Sequence, residues 1–233
     1  MHIVLLPGMD GTGLLFADFV SALGPEFEST VVQYPADREL RYAELESIAR
    51  SSLPRDRPFL IMGESFSGPI AISLAASRPS GLAGLVLCCT FARNPRPMLR
   101  SLKPFISLVP FHLIPSVFLI PMLFGRFSTG PLRSEHHNAM ARVSNVTLRA
   151  RMRATVEIDV SAQLQHIAVP ILYLRASEDR LVPKAASEHI QRIAPHVQIV
   201  ELEAPHLLLQ AIPSTAATIV GEFSRRLEGV EHS

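Results

Sequence analysis

The chain has 233 residues, of which 48% are hydrophobic and 18% are charged, and its formal net charge is +1 at pH 7. This composition is typical of a globular protein with a large core and excludes an intrinsically disordered chain. The nearly balanced charge also argues against a nucleic-acid-binding protein, which would carry an excess of positive charge. The two cysteines, Cys88 and Cys89, are adjacent in an apolar run, which favours buried thiols in a reducing, cytoplasmic compartment over a disulfide.

Short apolar runs alternate with helical patterns along the chain. The apolar runs predict six β-strands, at His2–Leu6, Thr30–Tyr34, Phe59–Met62, Gly84–Cys89, Ile171–Arg175 and Val197–Glu201. The spacing of apolar residues predicts helices at Leu14–Leu23, Glu39–Leu53, Pro69–Arg78, Pro183–Ala194 and Thr215–Leu227. This alternation predicts an α/β fold with a doubly wound, mostly parallel six-stranded sheet, formed by residues 1–90 and 160–233.

The alternation stops between residues 91 and 159, which predicts a cap inserted after the fourth strand, with a helical half from Ser134 to Val156. Phe105–Phe124 is as long and apolar as a membrane span, but three prolines interrupt it and favour a lid. Its apolar side chains predict a substrate pocket, although they could equally pack the cap onto the core. The residues predicted to line the pocket are Phe105, Phe111, Phe118 and Leu119. Residues 91–160 hold ten Lys/Arg and three Asp/Glu, and this charge of +7 predicts contact with an anionic carrier or a lipid surface.

The third predicted strand ends abruptly at Ser65. Gly63 precedes this serine by two residues, Ser67 and Gly68 follow it, and a helical pattern begins at once. This is the pattern of a nucleophile elbow, in which a sharp strand-to-helix turn exposes a serine hydroxyl at the edge of the sheet. The alternative is that Ser65 only caps the following helix.

Two other strand ends carry the groups that a serine nucleophile needs. Asp179 follows the fifth strand, with Glu178 as its rival, and His206 follows the sixth. His206 would accept the proton of Ser65, and Asp179 would orient the imidazole. The chain order of serine, acid and histidine is typical of one fold family.

The turn after the first strand, Pro7–Gly13, contains three glycines, so its backbone can approach a ligand closely. We expect the backbone N–H groups of Met9 and Phe66 to form an oxyanion hole. A glycine-rich turn before a helix can also bind phosphate. However, the spacing here is that of neither a dinucleotide fingerprint nor a P-loop.

Together these motifs resemble the α/β-hydrolase superfamily, and most closely its small serine esterases and lipase-like members. The resemblance is carried by Leu6–Gly13, Gly63–Gly68, Asp179–Pro183 and Ala204–His206. It implies an enzyme without a cofactor or metal, whose site is covered by the insertion. The chain departs from the family pattern at Pro7, where histidine is common, and at Ser67, where glycine is common.

The predicted activity is hydrolysis of carboxylic esters of hydrophobic acyl groups through an acyl-enzyme on Ser65. One alternative is a thioesterase acting on carrier-bound acyl chains, and another is a ligand-binding receptor that keeps the three residues without turnover. In the enzymatic cases the partner is a small-molecule ester or thioester.

Overall fold

The computed structural model describes residues 1–108 and 116–230. Its centre is a six-stranded sheet in the order β2-β1-β3-β4-β5-β6, and every neighbouring pair is parallel. The strands are β1 His2–Leu6, β2 Ser29–Val31, β3 Phe59–Glu64, β4 Leu82–Cys88, β5 Ile171–Ala176 and β6 Gln198–Leu202. The predicted α/β class and doubly wound sheet are therefore confirmed.

The second strand is shorter than predicted, because the chain turns away from the sheet after Val31. Val32 N–H still donates to the Leu5 carbonyl at 2.9 Å, but Tyr34 N–H donates to the carbonyl of Gly11 at 2.8 Å. This bond attaches the loop after β2 to the glycine-rich turn after β1.

Helices cover both faces of the sheet. Their bounds are α1 Ala17–Leu23, α2 Tyr42–Ser51, α3 Gly68–Ala76, α4 Ser116–Leu123, α5 Gly130–Ala141, α6 Asn145–Glu157, α7 Lys184–Ile193, α8 Leu208–Ala211 and α9 Pro213–Val230. Buried residues of α2, α3 and α7 form the core on one face, and those of α1, α8 and α9 form the core on the other. Because both faces are covered, the strands consist of nearly continuous apolar residues.

The segment between β4 and β5 holds α4, α5 and α6 and a 3-10 helix at Pro97–Leu108. Its two ends lie side by side, since Arg93 and Asp159 form an antiparallel bridge and Val160 N–H donates to the Ala92 carbonyl at 2.8 Å. The predicted helical half is two helices, because the hydroxyl of Ser144 caps a new helix by accepting from Thr147 N–H at 3.1 Å. Within residues 1–108 and 116–230, no helix has both the length and the apolar character needed to cross a membrane.

The strand order positions the site. From β1 the chain passes to β2 on one side and then to β3 on the other, so the winding direction changes between β1 and β3. In open parallel sheets, ligands bind in the crevice at the carboxyl ends of the strands beside such a switch point. The turn Pro7–Gly13 and the Ser65 elbow lie at these two strand ends.

Candidate active site

Ser65 lies directly after β3 with a φ of 47°, in the left-handed region. Few residues other than glycine adopt this conformation, and where they do it often marks a functional site. Gly63 must stay small, because a Cβ at this position would lie 2.7 Å from the Cβ of Ala71 and 2.9 Å from the Ser67 carbonyl oxygen. The backbone therefore has the sharp turn that the sequence predicts.

Ser67 stands where the family pattern has glycine, and its contacts explain how it is accommodated. Its side chain is fully buried, and its hydroxyl donates to the Pro7 carbonyl and lies 3.2 Å from the hydroxyl of Tyr34. The next residue, Gly68, also has no room for a side chain, because a Cβ there would overlap the side chain of Thr90. Ser67 thus joins the elbow to the turn after β1.

The three residues that the sequence predicts as nucleophile, base and acid lie together. Ser65 Oγ is 2.8 Å from His206 Nε2, and His206 Nδ1 is 2.8 Å from Asp179 Oδ2. The side chains of His206 and Asp179 are only 4% and 5% exposed. In this geometry an imidazole can take the proton of a serine hydroxyl while the carboxylate stabilises the imidazolium.

Asp179 is held by the loop that carries it. Its second oxygen, Oδ1, accepts from the backbone N–H groups of Leu181 at 2.9 Å and Val182 at 2.8 Å. The rival acid, Glu178, instead pairs with Arg126 at 2.7 Å. Glu178 therefore has a different partner, and Asp179 alone of the two contacts His206.

The residues predicted to form an oxyanion hole lie on segments that are held close to Ser65. A Cβ placed on Gly8 would lie 3.9 Å from the Cβ of Ser65, so the turn that carries Met9 passes next to the nucleophile candidate. The Phe66 carbonyl accepts from the hydroxyl of Tyr42 at 3.0 Å, and the two aromatic rings stack at 4.9 Å. These contacts hold the turn after β1 and the residue after Ser65 close to the Ser65 side chain.

A cavity of about 270 Å³ opens beside Ser65 and His206. Its walls are mainly apolar, and the apolar side chains come from the core and from α4, α5 and α6: Met9, Leu15, Leu119, Leu123, Met140, Leu148, Met152, Leu181 and Leu207. Among the residues predicted for the pocket, Leu119 lines it. Phe111 lies outside the described residues, and the structure does not describe the side chains of Phe105 and Phe118.

His136 is a pocket residue that the sequence analysis missed. Its position in the segment between β4 and β5 suggests a solvated side chain. Instead it is half-buried, lines the cavity and packs edge-on against Phe124 with ring centroids 5.5 Å apart. Burial lowers the pKa of His136, which favours the neutral imidazole. The signal that could have found it is helical spacing, because Leu132, His136 and Ala139 lie on one face of α5.

A second carboxyl group, that of Glu64, is buried next to the nucleophile candidate. It is 3% exposed and accepts from Gln210 Nε2 at 3.0 Å and from the backbone of Gly8. Burial raises the pKa of Glu64 to about 7, with Asp10 adding to this effect and Gln210 and His206 opposing it. Glu64 therefore changes its charge near neutral pH.

We expect this carboxyl group to make the stability of the protein depend on pH. Its pKa rises from 4.5 to about 7 on folding, so the folded state binds more protons between these values. The stabilisation is fully present below pH 4.5 and is lost as the pH rises through 7. The shift corresponds to about 3 kcal/mol in the free energy of unfolding.

Urea unfolding of the wild type and Glu64→Gln across this pH range tests the expectation. The stability of the wild type relative to the variant should decline with rising pH and then level off. The exposed Glu222 gives the control Glu222→Gln, which should follow the wild type. Parallel curves for the wild type and Glu64→Gln would contradict the assignment.

Comparison with known proteins agrees with this architecture. The profile of the Hydrolase_4 family, described as serine aminopeptidase, S33, matches residues 42–207. A protein of Pseudomonas syringae named "Putative carbamate hydrolase RutD" is 24% identical over 225 residues, which cover 86% of this chain and 84% of that protein.

Two solved structures show the same fold. A thermophilic esterase from Thermogutta terrifontis has a TM-score of 0.82 at 20% identity, covering 97% of this chain and 90% of that chain. The enol-lactonase from Burkholderia xenovorans has a TM-score of 0.72 at 17% identity, covering 96% and 91%. With the family profile spanning most of its length, the chain belongs to the Hydrolase_4 family of the α/β-hydrolase superfamily.

Proposed function

We propose that the protein is a serine hydrolase that cleaves small carboxylic esters with short or medium-length apolar acyl groups. The observation that carries this proposal is the pair of 2.8 Å contacts that link Ser65, His206 and Asp179 beside a mainly apolar cavity, which Ser65 and His206 line. A serine hydroxyl reacts slowly by itself, and this arrangement supplies the base and the orienting acid that it needs.

In the proposed reaction, Ser65 Oγ attacks the ester carbonyl carbon while His206 Nε2 takes the hydroxyl proton. The carbonyl oxygen becomes an oxyanion, which the N–H groups of Met9 and Phe66 stabilise. His206 then gives its proton to the departing alkoxide, and an acyl group remains on Ser65. A water molecule repeats the sequence, with His206 as base, and releases the carboxylic acid.

The size of the cavity supports a limit on the acyl chain. Its volume of about 270 Å³ is just below the usual range for ligand sites. At roughly 30 Å³ for each water-sized group, it holds about nine such groups. We therefore expect butanoyl to octanoyl chains to fit and long lipid chains to be poor substrates.

Activity on a series of nitrophenyl esters from acetate to palmitate tests the proposal. We expect kcat/KM to peak between butanoate and octanoate. Matched acyl thioesters belong in the same assay, because the +7 charge of residues 91–160 is also compatible with a carrier-bound thioester. Aryl carbamates belong there too, because a relative is named for carbamate hydrolysis. Faster turnover of either class would replace the ester assignment, and tight binding without turnover would favour a receptor.

Filling the cavity should shorten the preferred chain. Leu148 is buried on α6 and lines the cavity, so Leu148→Phe places a larger side chain in the space for the acyl group. We expect kcat/KM for octanoate to fall about tenfold or more while that for acetate changes little, since bulk in an apolar pocket discriminates by this order. Val146→Phe is the matched control, because Val146 lies on the same helix but is exposed. Equal losses for both esters would place the acyl group elsewhere.

A further inference from the structure

Arg151 is a cation buried inside the protein, close to the candidate active site. It lies on α6, in the segment between β4 and β5, and is 1% exposed. Burying a charged group is costly unless it is well hydrogen-bonded, so its partners indicate what it does. Its hydrogen bonds go to backbone carbonyl oxygens: Nη1 donates to Met9 at 2.8 Å and to Asp10 at 2.7 Å, and Nη2 donates to Pro35 at 3.0 Å. The Asp10 carboxylate also favours the charged guanidinium, which lies over the ring of Tyr34.

These bonds belong to a larger set that fixes the turn after β1. Every carbonyl from Pro7 to Gly11 accepts a hydrogen bond. The hydroxyl of Ser67 donates to the carbonyl of Pro7. Gly11 N–H donates to the carbonyl of Gly8 at 3.1 Å, and Tyr34 N–H donates to the carbonyl of Gly11 at 2.8 Å. Arg151 binds the remaining two, and it is the donor that comes from the segment between β4 and β5.

Gly11 shows how closely the guanidinium is fitted against this turn. Its φ is 66°, and a Cβ at this position would lie 2.5 Å from Arg151 Nη1 and 2.8 Å from Cζ. Any other residue at position 11 would therefore displace the guanidinium. The cation and the glycine turn are packed as one unit.

We propose that Arg151 is a positioning residue: by fixing the two peptide units that follow Met9, it holds the turn in the conformation that presents the Met9 N–H to the oxyanion. This inference rests on the proposed ester hydrolysis. By holding the carbonyls of Met9 and Asp10, Arg151 keeps the turn from rotating while charge develops on the substrate. Donors that are fixed in advance stabilise the transition state without any cost of reorganisation.

The proposal predicts an effect on kcat and not on KM, because an oxyanion exists only in the transition state. Arg151→Met keeps the apolar stem and removes the donors, and we expect kcat for nitrophenyl butanoate to fall about 10²-fold, the order found when an oxyanion donor is lost. KM should stay within about twofold. Arg151→Lys keeps a cationic donor and should recover part of the loss.

The matched control is Arg142→Met, which makes the same change at an exposed arginine that follows α5. Its kcat should equal that of the wild type. Because Arg151→Met could fail to fold, Gly11→Ala disturbs the same contact from the turn, and it should also lower kcat with KM little changed. Thermal unfolding of each variant identifies the folded ones.

A second readout separates positioning from general destabilisation. A trifluoromethyl ketone forms a tetrahedral adduct with an active serine. In folded Arg151→Met, the affinity for this ketone should fall in parallel with kcat. The affinity for the matching alcohol, which forms no adduct, should stay the same. An unchanged kcat in folded Arg151→Met and Gly11→Ala, with an active wild type, would overturn this inference alone. A wild type that cleaves no ester would overturn the proposed function and this inference with it.

Discussion

Replacing Ser65 by alanine is expected to lower kcat for ester hydrolysis by about 10⁴-fold to 10⁶-fold, the range found when a serine nucleophile is removed. In the proposed mechanism the loss is large because the variant has no hydroxyl that can form the acyl-enzyme, and only the proposed N–H donors of Met9 and Phe66 remain to assist attack by water.

Steady-state hydrolysis of nitrophenyl butanoate measures this effect. Ser80→Ala provides the control, because Ser80 is an exposed serine after α3 and its loss should leave kcat unchanged. If Ser65→Ala keeps more than about a hundredth of the wild-type kcat, Ser65 is not the nucleophile.

The substitution Asp179→Asn should lower kcat by about 10⁴-fold with little change in the fold. Asp179 Oδ1 accepts from two backbone N–H groups, so the asparagine oxygen is expected to stay there and its amide nitrogen to face His206 Nδ1. An N–H donor at that point favours the tautomer with the proton on Nε2, and this nitrogen can then no longer accept the proton of Ser65.

The neighbouring acid offers a matched control. Glu178→Gln removes a carboxylate one residue away, but that carboxylate pairs with Arg126 near the surface, and such pairs contribute at most about 1 kcal/mol to stability. Its kcat should remain close to that of the wild type. Equal losses in Asp179→Asn and Glu178→Gln would show that the loop as a whole, and not the Asp179 carboxylate, supports the reaction.

The sheet could be predicted from the sequence because its strands are short apolar runs separated by helical patterns. The positions of Ser65, Asp179 and His206 followed from the same pattern, since each comes directly after a predicted strand and parallel strands end at one edge. The hydrogen bond between Ser65 and His206 joins residues 141 positions apart, and that between His206 and Asp179 joins residues 27 positions apart. Only the order of the strands predicts that these side chains meet.

Other parts of the site could not be predicted because their signals are not local. Arg151 lies in a polar stretch of α6, and such a stretch is typical of a solvent-exposed helix. The carbonyl groups that accept its hydrogen bonds lie 116 to 142 positions earlier in the sequence. Ser67 departs from the family pattern, and its hydroxyl is accommodated by contacts with Pro7 and Tyr34, which are distant in the sequence. The sequence alone favours an exposed carboxyl group at Glu64, but the fold packs it against the turn after β1 and buries it.

The most direct test of the central claim is labelling with a fluorophosphonate, followed by mass spectrometry of the digested protein. The claim is that His206 and Asp179 activate the hydroxyl of Ser65. We therefore expect one adduct, on the peptide that contains Ser65, in the wild type, much slower labelling in Asp179→Asn, and none in Ser65→Ala. A wild type that stays unlabelled, or an adduct on another residue that persists in Ser65→Ala, would contradict the claim.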